Sequence, residues 1–593
     1  MSTMDTVGNL NESSNRWREV RVTKASVHKQ TTLSAHAETG QEETSIPVLK
    51  QRLYTGRKPI ISSVLANTPC ADLDTDGILE ELNGTLGTSY CADTLFTRDP
   101  SVEPGENMHP DQNSAHLRWI LEPYIVRNDD FGTAFAHLRR HWFDIAHMES
   151  NLRTREEADC IMRRNALVNG RITRGNVPPR RVWDLFANRV VPYWVAEKDM
   201  MGIDKPTRGK PGRPWGISHA WMSDEERVDV WTPINGYEWP VSIPKDANLN
   251  LIRIEMLNLG AEYAWLDVLC LRQAGGQGEH LRAEEWKLDV PTIGWVYRDT
   301  SVTCYFSGLG RPLSLKPGDL ESERCWFNRA WTLQETSDDS IIGGETDDNR
   351  FMEEEIRTKF HGQLASLQLM RRDNSVVDVL SQMQGRVSTN PMDRVVGLVY
   401  LLDSRYMPIY DALQPQEDAW VGLVDAMAYW SRTDLLFLYP EPGNRKKYWR
   451  PSWEQTMKKT NLRSCSGLGW LSKVGRTEET DTDWFEGPSI DPGDVRGLAY
   501  ASDEGESRQG ELIVKDHNGT PHRFGILADH QYPIPDALYT LIGARGWSNE
   551  TFWAVGKPRQ DGKFEKVSVV TVQYFQTLSL LGIVKWEGQM VLC

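Results

Sequence analysis

The segment Cys325-Trp326-Phe327-Asn328-Arg329-Ala330-Trp331-Thr332-Leu333-Gln334-Glu335 concentrates residue types that can do chemistry. Trp331 and Glu335 are four positions apart, so a helix through them sets an indole and a carboxylate on one face. A carboxylate there is either a site group or an ordinary helix-end charge paired with a nearby arginine. Upstream, Ser218 and His219 stand near the end of the apolar stretch Trp215 to Met222, with Trp221 beside them. Asp267 interrupts the apolar run Tyr263 to Leu271. A charge placed in such a run requires a partner, so Asp267 is a structural ion pair or a site residue. His219 is open in the same way, as a satisfied donor or a titrating group.

These residues need elements to hold them. Trp215 to Met222 reads as a short strand, and Asp246 as the N-cap of a helix with Leu249, Ile252, Met256 and Leu259 on one face and Gly260 as its stop. Tyr263 to Leu271 is apolar on both alternating faces, the pattern of a strand covered on both sides in a parallel sheet. A helix near Pro291 to Arg298, a strand over Val302 to Ser307 and the helix carrying Trp331 and Glu335 complete the alternation. An open α/β sheet of this kind binds ligands beyond the carboxyl ends of its strands, where Ser218, His219 and Asp267 would converge with Glu335 at the wall.

At 593 residues the chain is too long for one core. Residues 1–110 read as a largely disordered polar region, with Asp74 to Leu86 as a local helix, and residues 111–205 as a helical lead-in. The α/β core spans 206–345, a helical extension 346–480, and a small β-rich unit 481–593, in which Asn518-Gly519 marks a hairpin turn. A formal charge of -16 without a basic tract argues against nucleic acid and anionic membranes. Neither a signal-peptide stretch nor an apolar run long enough to span a bilayer is evident, so a soluble cytoplasmic protein without a membrane anchor is expected. Eight cysteines without CxxC spacing read as reduced thiols. His137 and His141 lie one helical turn apart, but no third ligand is near; they read as a solvated helix face, and no metal site is expected.

Taken in order, Ile217-Ser218-His219-Ala220-Trp221, Trp265-Leu266-Asp267-Val268-Leu269-Cys270-Leu271-Arg272-Gln273 and Arg329 to Glu335 resemble the three signature segments of the fungal heterokaryon incompatibility (HET) domain. The last is the most specific, matching "RAWTLQE"; the first has Met222 where the family has glycine. Thr389 to Val395 and Tyr448 to Trp453 resemble two later elements of the same family, so the resemblance covers roughly Trp183 to Trp453. It implies an α/β fold with a TIR/flavodoxin-like parallel sheet core, flanked by helical regions and a C-terminal antiparallel β unit that the family does not cover. It also implies a role in fungal allorecognition and programmed cell death. HET domains look like distant relatives of TIR domains, many of which cleave the nicotinamide bond of NAD, and Glu335 falls where the TIR catalytic glutamate stands.

By that resemblance Glu335 is the catalytic residue, NAD is a substrate, and no other cofactor is required. A carboxylate near C1′ of the ribose stabilises the cation that forms as nicotinamide departs. Trp331 or Trp221 would stack on a ring, Arg329 would neutralise pyrophosphate, Ser218 or Asp267 would hold ribose hydroxyls, and His219 would belong to the same binding site. A non-catalytic module that self-associates through the HET domain and recruits an unknown protein partner accounts for the same residues, and the sequence leaves both readings open.

Overall fold

A computed structural model of the chain describes residues 30–97, 114–196, 213–298, 300–337, 340–346, 352–373, 375–458, 468–499, 507–530, 532–545, 551–572 and 582–593. Its centre is a mixed six-stranded sheet of β1 (Arg181–Asp184), β2 (Arg189–Pro192), β3 (Trp215–His219), β4 (Tyr263–Trp265), β5 (Val302–Tyr305) and β6 (Ser340–Ile342). The strands lie in the order β6-β5-β3-β4-β1-β2. The first four are parallel, whereas β1 and β2 add an antiparallel hairpin. Residues of β4 and β5 are buried throughout, as strands covered on both faces must be. The register sets Cys304 opposite Ser218 and Tyr305 opposite His219, so the polar end of β3 sits at the carboxyl edge beside β5.

The sheet begins earlier than the sequence reading placed it. Residues 181–192, expected in a helical lead-in, form the β1–β2 hairpin. Asp184, fully buried, accepts the amides of Phe186 and Ala187 across the turn and receives Arg139 at 3.0 Å, which makes a tight reversal possible in an apolar setting. Nor does the α/β core stand on its own, for residues 30–97, expected to be largely disordered, are folded onto it. Leu33, Ile46, Ile61, Ile78 and Leu82 join the same core as the sheet.

The reason lies in helix α1 (Leu249–Leu259), which carries two buried charges. Arg253 donates to the Ile61 carbonyl at 2.7 Å, and Glu255 accepts from Gln51 at 2.7 Å and from the Tyr305 hydroxyl at 3.0 Å. A composition average cannot register such pairing, because the partners are remote from each other along the chain. The helix expected near Asp74 to Leu86 is observed over Cys70–Leu86, with a kink at Asp74. Residues 1–29 and 98–110 lie outside the described residues.

Several local expectations change. Asn248, not Asp246, caps α1, accepting the Asn250 amide at 2.9 Å, while Asp246 pairs with Arg311 at 2.7 Å. The strand expected over Tyr263 to Leu271 stops at Trp265, and Asp267 opens a one-turn helix, Asp267–Cys270. His137 is not on a solvated face: it is covered by Tyr124 and Trp194, and burial pushes it down to about 4. His141 is buried as well.

The antiparallel unit comprises β7 (Lys473–Thr477), β8 (Thr482–Arg496), β9 (Arg508–Lys515), β10 (Pro521–Ala528), β11 (Ala537–Arg545), β12 (Thr551–Pro558), β13 (Phe564–Val572) and β14 (Lys585–Val591). The pairing β8-β9-β10-β13-β12-β11 returns to β8, so these strands close a barrel around Leu512, Ile526, Leu541, Trp553 and Val570. The unit starts at Lys473, ahead of the expected 481, and Asn518-Gly519 makes the β9–β10 turn with Gly519 at φ 80°.

Asp483 on β8 joins this unit to the helix Tyr429–Leu438. It accepts from Arg432 at 2.5 Å, Lys447 at 2.7 Å and the Trp449 indole at 3.0 Å. Burial alone would raise this carboxyl, but Arg432 and Lys447 outweigh it and hold the group at about 2. A depressed carboxyl stabilises the fold above its ordinary range and loses that contribution as pH falls toward its folded value. Asp483→Asn is therefore expected to cost about 2–4 kcal/mol in denaturant titration at pH 7. The deficit should shrink as the pH approaches about 2, and a deficit independent of pH would remove this account.

Candidate functional site

A cleft of about 1020 Å³ opens at the carboxyl ends of β3 and β4. Its floor carries Ile217, His219, Trp265 and Asp267; one wall is the crossover between β5 and β6, and the other is the Val387–Asp393 loop with Tyr410. The helical extension thus supplies one wall of the enclosure.

The crossover is not an α-helix. Trp331–Leu333 form a single 3₁₀ turn, and Glu335 follows in the turn after it. Trp331 and Glu335 therefore do not stack as one α-helical turn would stack them, yet both line the cleft. Backbone carbonyls explain the departure. Arg386, buried and with its guanidinium pushed down to about 9 by burial, donates to the Arg329 carbonyl at 2.6 Å and to the Thr332 hydroxyl at 2.7 Å. That hydroxyl in turn donates to the carbonyls of Trp326 and Arg329. Ala330 donates to the Val387 carbonyl and Val387 to that of Asn328, stitching the crossover to the opposite wall.

Two pairs of polar residues meet at the strand edge. Ser218 donates to the Glu335 carboxylate in a short hydrogen bond and accepts the Trp326 indole N–H at 2.7 Å. Its side chain, 1% exposed, lies behind Glu335 rather than on the cleft wall, so Ser218 positions the carboxylate and does not reach a ligand, contrary to the ribose contact expected of it. Beside this pair, His219 Nε2 meets Asp267 Oδ1 at 3.0 Å and Nδ1 meets the Ala220 carbonyl at 3.3 Å. Both partners are acceptors, so the imidazolium, with two donors, satisfies them best. Burial pulls His219 down, but Asp267 overrides it and the net shift is upward; burial likewise raises Asp267, and His219 brings it below the ordinary range. No hydrogen bond joins Ser218 to His219, and the Ser218 oxygen is already engaged twice. A serine nucleophile activated by this histidine is therefore not assembled.

Glu335 is pushed up to about 7, chiefly by burial, with Asp267 adding to the rise and Ser218, His219 and Arg329 opposing it. Arg329 is lowered by burial, and Glu335, Asp267 and Asp393 pull the other way. Its guanidinium lies 5.5 Å from the Trp221 ring centroid. Trp331 donates to Asp393, which also accepts from the Tyr410 hydroxyl at 2.8 Å and is raised by burial.

All seven expected site residues, Ser218, His219, Trp221, Asp267, Arg329, Trp331 and Glu335, thus gather at this edge, six of them on the cleft wall. Trp326, Arg386, Asp393 and Tyr410 were not singled out. Asp393 lies within Thr389 to Val395, one of the segments that carry the family resemblance, and Trp326 three residues ahead of Arg329 to Glu335, whereas nothing in the local sequence marks Arg386 or Tyr410. No family model, no curated protein and no solved structure matches this chain.

A carboxyl raised on folding destabilises the fold once pH exceeds its ordinary value, with the full cost present above its folded value. Because Glu335 retains some contact with the cleft, the cost is on the order of 1–2 kcal/mol. Glu335→Gln is expected to raise the unfolding free energy by that amount near pH 8 and to change little near pH 4; thermal melts at the two pH values test this, and destabilisation near pH 8 would contradict it.

Proposed function

We propose that this protein is an allorecognition and cell-death effector of the heterokaryon incompatibility type, whose cleft hydrolyses NAD at the nicotinamide bond. One observation carries the reading: the Glu335 carboxylate, held by Ser218, whose hydroxyl accepts from Trp326, and poised near neutrality, faces an aromatic- and arginine-lined cleft at the carboxyl ends of parallel strands. The parallel strands, read across the sheet as second, first, third and fourth in chain order, match the flavodoxin-type order, which supports the TIR-like assignment.

In the reaction, the bond from nicotinamide nitrogen to ribose C1′ breaks, and its electron pair leaves with nicotinamide, which becomes neutral. Ionised Glu335 stabilises the cation at C1′ and accepts a proton from the water that captures it, so the products are ADP-ribose, nicotinamide and a proton. Asp267, held by His219, adds a second negative charge toward the same cation. Arg329 offsets the charge of the phosphates. Self-association through the same domain and recruitment of a protein partner in the cytoplasm belong to the proposal.

Nicotinamide release by concentrated wild-type protein should fall about 100-fold or more in Glu335→Gln. The wild-type rate should rise with pH through about 7 and level above it, because the ionised carboxylate is the active form. Release unaffected by the substitution would overturn the assignment of Glu335. No release from the assembled protein would leave the domain as a recognition module.

A further inference from the structure

We infer that Arg227 acts with Arg329, about the indole of Trp221, to bind the diphosphate of a nucleoside diphosphate ligand at the mouth of the cleft. The inference rests on the NAD reading for the ligand's reacting end, but not for its phosphate end. Arg227 belongs to the strand Arg227–Val230, which pairs with Val241–Pro244 in a hairpin between β3 and α1. Its guanidinium lies 5.5 Å from the Trp221 ring centroid, the same distance as that of Arg329.

Two guanidiniums held about one ring repel each other, and Arg227 lowers the proton affinity of Arg329 accordingly. For Arg329 the carboxylates of Glu335, Asp267 and Asp393 act against this repulsion, but without pairing with it. Among the described residues Arg227 pairs with Asp224 alone, whose side chain is 88% exposed, a pairing of little strength in water. Arg329 makes no side-chain hydrogen bond to a carboxylate among the described residues; its relations to Glu335, Asp267 and Asp393 are electrostatic only. Arg329, half-buried on the cleft lining and without a carboxylate hydrogen bond among the described residues, is completed by an acceptor-rich anion.

Glu335, Asp267 and Asp393 line the cleft together with Arg329 and Arg227, while Asp224, Glu323 and Arg324 are exposed on the same lining. A ligand with a cationic head and an anionic middle can meet carboxylates and guanidiniums at once there. A diphosphate offers more oxygens and more negative charge to two guanidiniums than a single carboxylate does. Nucleic acid is disfavoured by the formal charge of -16.

The test uses full-length Glu335→Gln protein, in which turnover is suppressed, titrated calorimetrically with ADP-ribose, ADP and adenosine. ADP-ribose and ADP are expected to bind about tenfold or more tightly than adenosine, and to weaken as salt rises. Adding Arg227→Glu should weaken ADP-ribose binding about tenfold or more and leave adenosine binding unchanged. Arg227→Ala, at an exposed hairpin, should give a smaller loss and keep the melting temperature, separating charge from folding. ADP-ribose affinity that is unchanged in both variants, equal affinities for ADP and adenosine, or no binding of ADP-ribose would overturn the inference. Glu335-dependent turnover of NAD with a KM unmoved by Arg227→Glu would sink this inference alone. Arg227-dependent binding of ADP-ribose without turnover in wild type would sink the hydrolysis reading alone.

Discussion

The hydroxyl of Ser218 is the joint on which the site depends. It is the penultimate residue of a central parallel strand, and it holds both a carboxylate and an indole from one irregular crossover. Among the described residues that contact supplies the side-chain donor to Glu335, which compensates its withdrawal from water. The arrangement keeps a carboxyl in a place where ionisation is costly. That is a condition a folded protein rarely maintains without use for it.

The same constraint recurs at larger scale. Charges buried between layers oblige distant segments to meet: Asp184 with Arg139, Arg253 with the Ile61 carbonyl, Glu255 with Gln51, Asp483 with Arg432. The last three join parts of the chain that composition would assign to separate units. An uncompensated buried charge costs several kcal/mol, so these pairs make the N-terminal segment, the sheet, the helical extension and the barrel mutually dependent. They also explain why the cleft is shared. Arg386 from the helical extension fixes the crossover of the sheet through backbone carbonyls, and Asp393 and Tyr410 form the facing wall.

What the sequence determined alone is the alternation of strand and helix, the parallel character of the buried strands, the antiparallel barrel strands with their Asn518-Gly519 turn, and the small set of polar residues at strand ends. Those are local matters. A doubly covered strand must be apolar on both faces, a hairpin turn needs a residue such as Gly519 at positive φ, and a charge such as Asp267 stands out against an apolar run. The tertiary structure alone decided that Trp331 lies on a 3₁₀ turn with Glu335 just beyond it rather than both on an α-helix, that Ser218 supports Glu335 from behind, that residues 30–97 fold, and that Arg386, Asp393 and Tyr410 complete the cleft. In each case the deciding partner is remote in sequence. Helix propensity at Trp331 is overruled by hydrogen bonds from Arg386, and the fate of the N-terminal segment is set by charges on α1, so no window along the chain contains both halves of the interaction.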